Sequence, residues 1–60
     1  MENDARYHAR RAQEEREAAN SASHKAVRKR HLEMAAAYDL RVRSIEADDA
    51  RRTFHLVSAA

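Results

Sequence analysis

The residues of this chain best suited to chemistry are its histidines, His8, His24, His31 and His55. An imidazole can ligate a metal, relay a proton or change charge near neutral pH. Two ligands on one helix must stand three or four residues apart to leave the same face on neighbouring turns. His24 and His31 are two full turns apart, about 10 Å along a helix axis. Arg28 and Val27 occupy the positions three and four before His31. Asp4 stands four before His8, but at a helix start its carboxylate is suited to capping, and His55 is isolated. No metal site is expected. His31 is the unusual member of the set because it falls on an apolar stripe. Its ring is expected to pack there and to bond across to Glu14 or Glu15, with a pH-responsive interface as the functional version of that role.

Nucleophilic and acid–base catalysis have equally little footing. There is no cysteine and no glycine, which removes thiolate chemistry and the glycine loops that cradle phosphates. The serines fall mostly in expected caps or in the tail, and the carboxylate pairs Glu14-Glu15 and Asp48-Asp49 read as exposed. A helical hairpin of this size lacks the concave pocket that small-molecule sites need. We expect no enzyme activity, no cofactor and no small-molecule substrate.

Lys25, Arg28, Lys29 and Arg30 form the densest basic stretch, with no acid between Glu17 and Glu33. On a helix Lys25, Arg28 and Lys29 share a face, and the helix N-terminus adds partial positive charge. Such a cluster suits weak, salt-sensitive phosphate contact. No aromatic residue interleaves to stack bases, and the net charge is only +2 although 37% of the residues are charged. Nucleic-acid binding is therefore the alternative reading. A membrane-surface helix is disfavoured because a histidine interrupts the apolar face while Glu33 and Asp39 dilute the positive side. No apolar run approaches the roughly 18 residues of a membrane span. The opening Met1-Glu2-Asn3-Asp4 lacks the basic and apolar regions of a secretory signal, so a cytoplasmic location is expected.

The elements that must position these groups are helices. Neither glycine nor proline occurs in the 60 residues, and alanine, arginine and glutamate, all strong helix formers, dominate. The expectation is an all-α single domain over 1–60, an antiparallel helical hairpin with a third short helix or helical extension. A first helix over about 4–20 is capped by Asn3 or Asp4 and presents Ala5, Ala9, Ala12, Arg16 and Ala19 on one face. Asn20-Ser21-Ala22-Ser23 breaks it, because short polar side chains compete for backbone hydrogen bonds. A second helix over about 24–46, with Ser23 as cap, carries the stripe Val27, His31, Met34, Tyr38, Val42 and Ile45. The last segment, about 49–57, has Asp48 or Asp49 as a possible cap and Ala50, Phe54 and Val57 as its apolar face.

A core made from this chain is small. Of 26 hydrophobic residues 14 are alanine, leaving 12 larger ones to fill it. A domain of about 60 residues buries only about 60% of the surface its unfolded chain exposes, so it leans on a disulfide, a metal or a partner. With the first two excluded, a homo-oligomer or a complex with another protein is expected. Leu32 and Leu40 lie off the main stripe on a face of their own, and Phe54 and Leu56 crowd one short segment. These four are the candidate protein contacts.

The segments Tyr7-His8-Ala9-Arg10-Arg11-Ala12-Gln13-Glu14-Glu15 and Val27-Arg28-Lys29-Arg30-His31-Leu32-Glu33-Met34-Ala35-Ala36-Ala37-Tyr38 give the chain a further likeness. It resembles a group of short alphaproteobacterial hypothetical proteins. They share a Tyr-x-x-Arg-Arg-Ala-x-x-Glu helix, a short polar break and a His-x-x-Met/Leu-Ala-x-x-Tyr helix. The likeness covers residues 7 to 45. It implies a helical hairpin and brings no chemistry with it. The function expected from the sequence is a non-catalytic interaction module or small regulator that self-associates.

Overall fold

In the computed structural model, which describes residues 3–59 and their side chains from Asn3 to His55, the chain is two packed α-helices, α1 (Asp4–Ser21) and α2 (Lys25–Ala59). Asn3 caps α1: its side-chain oxygen accepts from the Arg6 amide at 2.8 Å, and its carbonyl accepts from the Tyr7 amide at 2.9 Å. Asp4 adds a carboxylate in the first turn, where the helix dipole favours one. At the far end the chain leaves the helix through Ala22, which is extended at φ −72° and ψ 131°. The Ala22 amide still reaches back to the Ala19 carbonyl at 3.2 Å. The reversal is completed by Ser23 and His24 without any left-handed residue among those described, which is how a chain lacking glycine makes the turn. The first carbonyl taken up by α2 is that of His24, which accepts from Arg28 at 3.0 Å. The start of α2 is thus one residue later than a Ser23 cap predicts.

The separate third helix is not formed. α2 continues through Ala47, Asp48 and Asp49 to Ala59 because nothing there breaks it: alanine favours helix, and Asp48 is held by an ion pair to Arg51 one turn on. The result is a marked difference in length. At 1.5 Å per residue the 18 residues of α1 span about 27 Å and the 35 of α2 about 52 Å, and the molecule measures 55 × 22 × 10 Å. Glu15 meets His31, and one heptad nearer the open end His8 meets Tyr38 with ring centroids 5.8 Å apart. Continuing that register puts Asp4, the first residue of α1, opposite Val42. Beyond about Glu46, α2 runs on without α1 beside it, and every residue from Glu46 to His55 is exposed.

The seam between the helices is built of alanine. Ala12, Ala19 and Ala35 are its buried apolar residues, and no large side chain is fully buried among those described. Around them Ala5, His8 and Ala18 on α1, Ala22 just past its end, and His31, Tyr38, Val42 and Ile45 on α2 are half-buried. This corrects part of the expected core. Val27 and Met34 remain exposed, at 45% and 39% of full accessibility. Ala9 and Arg16 on α1 are exposed as well. Small residues on α1 draw the helices close, and a side chain as large as methionine does not fit the line of nearest approach. Ala35 takes that position, and Met34 turns to the side.

Candidate interaction surface

The polar centre of the seam is Glu15, only 6% exposed. Its Oε1 accepts from His31 Nδ1 at 2.9 Å, and its Oε2 lies 3.6 Å from the Arg11 guanidinium. A carboxylate among alanines would be costly if left without partners. Here both oxygens are engaged, and no buried side-chain polar atom among the described residues lacks a hydrogen bond. Of the two acids expected to meet His31, the structure selects Glu15. Glu14, one position round the helix, lies between Arg11 and Arg10 on the outer surface. The hydrogen bond from Arg11, reinforced by Arg10, holds the Glu14 carboxyl below its ordinary value of 4.5. The Arg11 guanidinium is in turn held more firmly protonated by Glu14 and by Tyr38, whose ring it covers at 5.3 Å.

Two shoulders flank the seam. On one, His8, Met34, Ala37, Tyr38 and Arg41 enclose an open hollow of about 370 Å³. Val27 and Ile45 extend the same side of α2, seven residues before Met34 and seven after Tyr38. On the other, Ala36, Asp39, Leu40 and Arg43 line a second hollow of about 300 Å³. That side is crossed by Arg16, which donates to Asp39 at 3.1 Å and to Gln13 at 3.1 Å.

Of the expected protein contacts, Leu32 and Leu40 lie on this second shoulder, 49% and 65% exposed. Phe54 is 74% exposed on the part of α2 that outruns α1, so the structure does not bring it together with the two leucines. Leu56 lies within the α2 backbone, but its side chain is outside the described residues. The basic residues Lys25, Arg28, Lys29 and Arg30 are all exposed near the turn. Arg28 donates to the Ala22 carbonyl at 3.2 Å, closing the loop. The sequence reading missed the Met34–Tyr38 hollow and the Arg16–Asp39 bridge, because both depend on α2 being turned about its axis so that Ala35 faces α1.

His8 donates from Nδ1 to the Asp4 backbone carbonyl at 2.6 Å. No group of three His, Asp or Glu side chains among the described residues is arranged to hold a metal ion. No helix among them is long and apolar enough to cross a membrane. No protein-family model matches the chain, and comparisons with curated proteins and with solved structures return no match.

Proposed function

We propose that this chain is a non-catalytic helical interaction module, a small cytoplasmic regulator or adaptor that associates with itself. The observation that carries this reading is surface area. The chain exposes 5121 Å², whereas a compact folded monomer of 6.9 kDa would expose about 4,000 Å². The surplus of about 1,100 Å² exceeds the roughly 800 Å² that each partner gives to an interface of standard size. The alanine seam points the same way, because it buries too little apolar surface to hold a 60-residue chain by itself. Leu32, Leu40, Phe54 and the neighbouring Leu56 are the candidate contacts for a partner protein. The reading predicts a melting midpoint that rises with chain concentration, as mass action requires when folding and association are coupled. A midpoint independent of concentration over a hundredfold range contradicts it.

A second reading rests on the state of the basic cluster. Arg11, Arg16 and Arg51 are tied to carboxylates, whereas Lys25, Lys29 and Arg30 are exposed and carry no ion pair among the described residues. Free cations at the closed end of the hairpin suit weak contact with nucleic-acid phosphates. Binding to a short duplex should then weaken steeply as salt is raised, because each neutralised phosphate releases counterions. Absence of binding at low salt rules the reading out.

A further inference from the structure

We propose that the second copy docks on the shoulder formed by Val27, Met34 and Tyr38, completing a four-helix bundle, and that the Leu32–Leu40 shoulder stays outside that seam. The inference rests on the self-association argued above and assigns it a surface.

Helix α2 carries two overlapping lines of residues with alternating steps of three and four. The first is His31, Ala35, Tyr38, Val42 and Ile45, whose members are buried or half-buried against α1. The second is Val27, His31, Met34, Tyr38, Arg41 and Ile45. It shares His31, Tyr38 and Ile45 with the first, but its remaining members turn to the side and are exposed. A lone pair of helices needs only one such line per helix. A helix in a four-helix bundle touches two neighbours and carries apolar positions on adjoining lines. In α2 the second line adds the apolar side chains of Val27 and Met34 and the stem of Arg41, and α1 leaves these three exposed.

The two shoulders also differ in what docking would displace. The Arg16–Asp39 pair spans the Leu40 side with both side chains nearly half exposed, at 44% and 46%. A chain sealing that groove would have to strip water from two charges, which their mutual attraction does not reliably repay. On the Met34 side the acid at the seam, Glu15, is already buried and held by His31 and Arg11. Docking there adds little further desolvation of that carboxylate. The hollow itself lies over Ala37, a residue small enough to admit a side chain from the other copy.

Ala36 and Ala37 are adjacent, both exposed, and line the hollows of opposite shoulders. Ala36→Arg and Ala37→Arg therefore make the same change in bulk, charge and helix propensity on different sides of one helix. Sedimentation equilibrium of the intact chain and both variants, with circular dichroism on the same samples, tests the proposal. The wild type and Ala36→Arg should sediment at twice the chain mass, and Ala37→Arg should associate at least tenfold more weakly. A general loss of folding would affect both variants and so cannot imitate this result. An Ala37→Arg variant as dimeric as the wild type, or an Ala36→Arg variant equally dissociated, overturns the choice of shoulder while leaving self-association intact. A wild-type chain that stays monomeric overturns self-association itself.

Discussion

Glu15 Oε1 and His31 Nδ1 meet at 2.9 Å across the two helices, although sixteen residues of chain separate them. The contact sets the register of the hairpin, because it is a directional bond within a seam of alanines that could otherwise slide by a turn. Buried polar contacts serve this purpose in coiled coils, where one polar residue fixes alignment at some expense in stability. The His8–Tyr38 ring contact, one heptad along, lies in the same register.

A double-mutant cycle with Glu15→Ala and His31→Ala should show a coupling of about 1 kcal/mol, typical of a part-buried hydrogen bond. Urea denaturation of the four proteins at one chain concentration measures it. Additive effects would show that the two side chains act independently.

The alanine seam should resist enlargement. Ala12 is fully buried and Ala9 is exposed on the same helix. Ala12→Leu should cost about 1–3 kcal/mol by overpacking, whereas Ala9→Leu should change stability by less than about 0.5 kcal/mol. Equal tolerance at both positions would mean that the helices are not in close contact at Ala12.

Acid should remove a defined contribution from Glu14. Its folded carboxyl titrates below the ordinary 4.5, so the stabilisation is present above that value and is lost as pH falls through the lower folded one. The advantage of the wild type over Glu14→Gln, read from thermal melts at pH 6, should therefore disappear at pH 2. An advantage that persists at pH 2 would require a source other than the ion pairs with Arg11 and Arg10.

The unaccompanied end of α2 should open far more readily than its centre. An isolated helix of about 12–15 residues is marginal in water, and no residue between Glu46 and His55 is buried. Amides of residues 47–55 should exchange with deuterium at least about tenfold faster than those of 31–42. Comparable protection in both segments would show that another surface covers this end.

Much of this arrangement is readable from the chain. The absence of glycine and proline, a cap at Asn3 or Asp4, the polar break after Asn20 and the pairing of His31 with Glu14 or Glu15 all follow from residue type and spacing. The rotation of α2 does not. The lines through Met34 and through Ala35 share His31, Tyr38 and Ile45, and weighing residues by size favours Met34. The choice is made by α1, whose alanines admit only a small residue at the point of closest approach. The continuous run of α2 is one of the two alternatives the sequence leaves open, because Asp48 and Asp49 suit a helix start as well as a helix interior, and the unbroken α2 shows that they lie in the interior.

The measurement that bears most directly on self-association is the mass of the intact chain in solution, by light scattering over a wide concentration range at moderate ionic strength. A stable dimer at twice 6.9 kDa, separating only as its helicity falls, is the predicted result. A fully helical species of 6.9 kDa at every concentration would show that the alanine seam suffices alone, and would contradict the account.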